Sequence, residues 1–175
     1  MASSKALIRS QTRRGVRSDQ SAPVAVRKTQ PREGSVCERC GAVFAKRTWR
    51  RDHPRSAALL AAATWTVCPA CTQTAGGTAW GRVRLTGTFV VPNEAAIRRR
   101  IQNVAARAGA TQPERRLVSV EREGDGLEVL TTSQKLAHRV VREITKAFKG
   151  RAVYRWSDDG TLLATWRRAE ERRKR

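Results

Sequence analysis

The sequence predicts an α+β protein: a small four-cysteine module, then a βαββαββ antiparallel sheet with both helices on one face, flanked by disordered basic tails. Three observations predict it. All four cysteines fall within residues 36–79, as two Cys-x-x-Cys pairs. Residues 80–166 alternate between apolar runs of period two and apolar stripes of helical period. Residues 1–35 and 167–175 are crowded with cations and have no apolar period at all.

Taken in order, the arm 1–35 holds Lys5, Arg9, Arg13, Arg14, Arg17, Arg27, Lys28 and Arg32 against only Asp19 and Glu33. It cannot bury enough apolar surface to offset its chain entropy, so a disordered basic arm is expected. Residues 36–79 have many Ala, Gly and Thr and few β-branched aliphatic residues, a composition too poor in core to fold by burial alone. The main core follows. In Trp80–Val91, Val83, Leu85, Phe89 and Val91 alternate with Arg82, Arg84, Thr86 and Thr88, which predicts a strand with one buried face. Asn93 is placed to cap a helix from Glu94 to about Ala108, whose stripe is Ile97, Ile101, Val104, Ala105 and Ala108, with Gly109 as its stop.

Arg116–Arg122 and Leu127–Thr131 flank a Gly-Asp-Gly turn and read as a hairpin. Ser133 then caps an amphipathic helix carrying Leu136, Ala137, Val140, Val141, Ile144, Ala147 and Phe148, and Gly150 stops it. Ala152–Trp156 and Thr161–Arg167 flank Asp158, Asp159 and Gly160, a second hairpin. The first four strands and two helices predict a ferredoxin-like or related sandwich over residues 80–166, its fifth strand extending one edge. The remaining residues, 167–175, form a basic tail.

The 175 residues hold 36 Lys+Arg against 15 Asp+Glu, a formal net charge of +21. So large an excess repels itself in the compact state and calls for a polyanionic partner. The length leaves no room for the two large lobes of a kinase or dehydrogenase. The longest stretch of apolar character, Ser56–Trp65, is too short to span a bilayer, and residues 1–32 lack the apolar segment of a secretory signal. A cytoplasmic location is therefore expected, and in that reducing environment metal binding is the expected use of four cysteines.

Cys37-Glu-Arg-Cys40 and Cys68-Pro-Ala-Cys71 can each present two thiolates on a tight turn, so that four sulfurs close around one tetrahedral ion. The expected cofactor is one structural zinc held by Cys37, Cys40, Cys68 and Cys71, with Gly41 giving the knuckle its turn. A closed four-thiolate shell leaves no position for water or substrate, so the ion would be structural. A thioredoxin-type dithiol is the alternative use, but its βαβ context is lacking. His53 sits among Arg50, Arg51, Asp52 and Arg55 and reads as a solvated side chain.

The loop between the cysteine pairs carries Lys46, Arg47, Arg50 and Arg51 around Trp49, a mixture suited to phosphate contact plus base stacking; a solvated loop with Trp49 packed on the module is the competing reading. The outward residues Arg82 and Arg84, with Arg155, offer a second cationic surface on the sheet. A catalytic constellation is lacking: there are two histidines, and Gly-rich phosphate loops, nucleophile elbows and His-Glu-x-x-His helices do not occur. His138 reads as a structural histidine at the boundary of the buried stripe.

Cys37-x-x-Cys40-Gly41, Cys68-Pro69-x-Cys71, the run Leu130-Thr131-Thr132-Ser133-Gln134-Lys135-Leu136-Ala137 and the run Lys146-Ala147-Phe148-Lys149-Gly150 together carry a resemblance. Over Val36 to Trp166 the chain resembles the N-terminal zinc-ribbon region of the large-ribosomal-subunit export adaptor family (nonsense-mediated-decay-three-like). Family members carry more cysteine pairs and further domains; this chain has one ligand set. The resemblance implies a compact relative that touches ribosomal RNA, with Cys37, Cys40, Cys68 and Cys71 as zinc ligands.

The function expected is thus a zinc-containing RNA-binding protein, not an enzyme, whose partner is ribosomal RNA or a ribosomal subunit, with no membrane and no small-molecule substrate. A DNA-binding regulator and a thiol redox protein stay open as alternatives. The cluster Arg98-Arg99-Arg100 lacks the Asn and Gln that read adenine edges on duplex DNA.

Overall fold

Two β-sheets, each with its own apolar cluster, divide the chain. The structure is a computed structural model and describes residues 31–169; most of the predicted arm and the end of the predicted tail lie outside the described residues. The first sheet is built from β1 (Val36–Cys37), β2 (Val43–Ala45), β3 (Thr48–Arg50) and β4 (Trp65–Thr66), in the order β3-β2-β1-β4. Two short helices, α1 (Ala57–Ala62) and α2 (Pro69–Ala75), complete this part. Ser56 caps α1 by accepting from the Leu59 N–H at 3.2 Å.

Strand β5 (Gly81–Thr86), helix α3 (Glu94–Thr111), strands β6 (Leu117–Glu123) and β7 (Gly126–Thr131), helix α4 (Gln134–Phe148) and strands β8 (Arg151–Trp156) and β9 (Leu162–Arg167) follow in that order. The sheet order is β6-β7-β5-β9-β8. Val83, Leu85, Leu127, Val129, Leu162, Ala164 and Trp166 point to one side, where they form one cluster with the buried stripes of α3 and α4. Both helices therefore lie on the same face, and Trp166 is the largest side chain fully buried beneath them.

Three expectations are corrected. The sheet is mixed, because β5 and β9 run parallel, Gly81 opposite Leu162 through Thr86 opposite Arg167. The last strand does not extend an edge. It inserts between β5 and β8 because every second residue of β9 is buried, whereas β8 is exposed along nearly its whole length and takes the edge. The strand expected to reach Val91 stops at Thr86: Gly87 turns out of the sheet at φ +106°, and Phe89 folds back against Phe148 and Trp166.

At the ends of α3 the details also differ. Gly109 lies inside the helix, a cost of about 1 kcal/mol that packing absorbs, and the helix ends at Thr111 just before Gln112 and Pro113. Asn93 stands at the N-cap position, but its side chain donates to the Phe89 carbonyl at 2.9 Å instead of capping. Ser133 does cap α4, accepting from the Leu136 N–H at 3.2 Å. The first residue of β5 must be glycine, since a Cβ on Gly81 would sit 2.4 Å from the Ala137 Cβ and 2.5 Å from the Thr131 hydroxyl.

Candidate metal centre and cationic surfaces

Cys37 closes β1 and Cys40 follows in a tight turn. Gly41 completes the knuckle at φ +66°, donating to the Cys37 carbonyl at 2.8 Å, while the Cys37 N–H bonds the Ala42 carbonyl at 2.8 Å. Cys68 stands at the N-cap of α2 with Pro69 in its first turn, so Cys71 falls on that same turn. The first pair thus sits on a knuckle, and the second on a helix start instead of the separate tight turn expected. The four sulfurs all lie within 4.8 Å of one another, with Cys37–Cys71 and Cys40–Cys68 each 3.8 Å apart. All four cysteines are free of disulfides, and together they could hold a metal ion.

The apolar cluster around them is small: Ala42, Phe44, Trp49 and Ala70, with the cysteines themselves. The Cys68 N–H points at the Cys37 sulfur, 3.3 Å away. Arg116, on the approach to β6, reaches across from the large domain and donates from Nη1 to the Cys71 sulfur at 3.1 Å. It is fixed there by Nε donating to the Pro113 carbonyl at 2.7 Å and by its backbone N–H donating to the Thr132 hydroxyl at 2.8 Å.

Burial pushes the Cys40 thiol up, but the Arg116 guanidinium and the Ala42 backbone outweigh it and bring the thiol down to about 6. Burial raises Cys68 and Cys71 instead. Desolvation works against the charge on Arg116, and the surrounding sulfurs more than restore it. Thiolate repulsion and a guanidinium beside it are the electrostatics of a site that needs a cation at its centre. Nothing in the sequence around Arg116 marked it; only the fold brings it to the cysteines.

His53 is half-buried, bonded through its ring to the Pro54 carbonyl, and is not among the clustered ligands. In the basic loop, Lys46 and Arg47 are exposed and form the two-residue turn between β2 and β3, both with left-handed backbone, φ +52° and +61°. Their N–H groups are gathered by the Glu33 carboxylate at 3.0 and 3.1 Å. Arg50 is half-buried in β3 and Arg51 exposed. Trp49 corrects the stacking expectation: it is buried, its ring edge-on to Phe44 at 5.5 Å, so its faces belong to the module.

On the open side of the large sheet, Arg82, Arg84 and Arg155 come together around a groove of about 990 Å³, whose walls include Trp80, Leu163 and the Gly76–Gly77 turn. None of Lys46, Arg47, Arg50 or Arg51 lines it. Arg82 is paired with Glu128 at 3.1 Å and Arg84 with Glu123 at 2.9 Å. His138 is exposed on α4, contrary to the expected structural histidine, with its ring against Tyr154 at 4.9 Å. No helix among the described residues is long and apolar enough to cross a membrane.

Comparison with known proteins brings no match: neither a protein-family model, nor a curated protein, nor a solved structure matches this chain.

Proposed function

We propose that the protein is a zinc-containing, cytoplasmic RNA-binding protein that associates with ribosomal RNA or a ribosomal subunit. The observation that carries RNA binding is a pairing of like charges. Arg151 and Arg167 stand directly opposite each other across β8 and β9, a placement that destabilises a bare sheet. Arg155 shares their face, and among the described residues none of the three has a carboxylate partner within ion-pair distance. The β5–β7 half of the same face balances its arginines with Glu123 and Glu128. In a chain of net charge +21, the unbalanced half is where a polyanion relieves the repulsion.

Zinc is supported by the spacing of the sulfurs. A tetrahedral ion with zinc–sulfur bonds of about 2.3 Å separates its ligands by about 3.8 Å. Two sulfur pairs stand at 3.8 Å here. One ion shared by four sulfurs accounts for this better than a redox pair, which needs one close couple. The ion would hold the knuckle and α2 together where the apolar cluster is too small to do so. The ribosomal part of the proposal rests on the resemblance carried by the cysteine pairs and the 130–137 and 146–150 runs.

The test is sedimentation of a low-salt lysate of the native host, with zinc measured in the purified protein. Comigration with a ribosomal subunit, released by salt, and about one zinc per chain are expected. Migration with the nucleoid would overturn the RNA reading in favour of DNA, and an active chain without metal would overturn the zinc reading in favour of redox chemistry.

A further inference from the structure

The outer strand of the large sheet carries aromatic rings that the described residues leave uncovered. Among the described residues β8 bonds only to β9, and its alternation separates two kinds of side chain. Val153 and Arg155 pair with Thr165 and Leu163 on the open face. Tyr154 and Trp156 pair with Ala164 and Leu162, so they turn to the helix side, beyond the part of the sheet that α4 covers. Trp156 is 64% exposed and Tyr154 37%. The Tyr154 ring lies against the His138 ring of α4, inclined by 32°. Lys135 and Arg142, one helical turn to either side of His138, are exposed as well. The one acidic residue of α4, Glu143, is held by Arg100 at 2.7 Å.

We propose that Trp156, Tyr154 and His138 form a platform on which bases of single-stranded RNA stack, while Lys135 and Arg142 on one side of the strand and Arg155 on the other meet its phosphates. The proposal rests on the RNA-binding reading above and names the form of RNA and the place it binds. Its occupant must offer negative charge and flat apolar faces together. A second copy of this chain, or its own residues 1–30, would bring positive charge to a positive edge. An acidic peptide offers the charge without the rings. A duplex keeps its bases stacked on one another, whereas an unpaired strand can splay them onto aromatic side chains.

The experiment compares a labelled oligouridine with an RNA hairpin duplex of equal length, on the full zinc-loaded chain and on W156A, W156F and R155A, whose zinc content and circular dichroism confirm folding. Trp156→Ala is expected to weaken oligouridine binding about tenfold with the salt dependence unchanged, since the phosphate contacts remain. Trp156→Phe should keep most of the affinity and lose most of the tryptophan quenching seen on binding. Arg155→Ala should reduce the salt slope. If W156A binds oligouridine as tightly as the parent and quenching survives in W156F, the platform is overturned while RNA binding stands. If the parent binds neither RNA, the RNA reading itself fails. Displacement of oligouridine by polyglutamate that is as effective as displacement by unlabelled RNA would assign the edge to an acidic protein, and a dimer abolished by W156A would assign it to a second copy.

Discussion

Arg116 and Cys71 are 45 positions apart in the chain, yet the guanidinium donates to the sulfur at 3.1 Å and ties the cysteine module to the large domain. A cation beside a four-thiolate site offsets part of its negative charge and fixes the orientation of a ligand, much as outer partners do in other metal centres. Replacing Arg116 by Met removes both effects. Metal affinity is expected to fall by about 10-fold or more, read by competition with a chelator. Arg116→Lys, which keeps a charge but not the planar fork, should recover only part of it.

The Cys40→Ser, Cys71→Ser double variant should lose its metal and open residues 36–75 to protease, while the fragment spanning β5 to β9 stays resistant. The two parts have separate apolar clusters, and only the smaller one depends on the sulfurs. Mass spectrometry of the surviving fragment and metal analysis check both halves of the expectation; a double variant that keeps its ion and its resistance would refute the metal centre.

The turn between β2 and β3 places Lys46 and Arg47 in a backbone region that glycine and asparagine favour. Lys46→Asn together with Arg47→Gly is expected to raise the stability of the metal-bound protein by about 1 kcal/mol, measured by denaturant unfolding. If these two cations contact RNA, the same variant binds more weakly at low salt, so stability and affinity move in opposite directions.

Gly81 should tolerate no side chain. Gly81→Ala puts a methyl against the Ala137 Cβ at 2.4 Å and the Thr131 hydroxyl at 2.5 Å, and the cost is expected to be about 2 kcal/mol. Ala137→Gly, which empties the opposing position, should restore part of the loss in the double variant, as a double-mutant cycle would read.

Regular elements were legible where side-chain period alone decides them. The stripe Ile97-Ile101-Val104-Ala105-Ala108 is the buried set of α3, and Leu136-Ala137-Val140-Val141-Ile144 that of α4, whose predicted stripe runs too far: Ala147 is exposed and Phe148 half-buried at the end of the helix. The cysteine cluster was legible from spacing, since the two Cys-x-x-Cys pairs do converge. Pairing was not. Local pattern gives β8 and β9 as a hairpin but does not say which of the two joins β5; the buried Leu162, Ala164 and Trp166 settle that only once the competing edge is compared. Trp49 was ambiguous for a related reason, because a tryptophan amid arginines reads the same whether its ring faces solvent or Phe44. Arg116 carried no local signal, since its role comes entirely from long-range contact.

The parallel pairing of β5 with β9 also bears on how the protein is made. The strands, helices and four clustered cysteines of the small module all precede residue 76, so they can come together while later residues are still being synthesised. The large sheet has no such head start. The place beside its central strand, Gly81–Thr86, is filled by Leu162–Arg167, the last of the described strands to emerge, and until then Gly81–Thr86 has an open side and the cavity meant for Trp166 is empty. A nascent chain stalled before residue 162 would therefore present a finished cysteine knuckle joined to a half-built sheet whose central strand is open on one side, the species on which a chaperone or a protease would act.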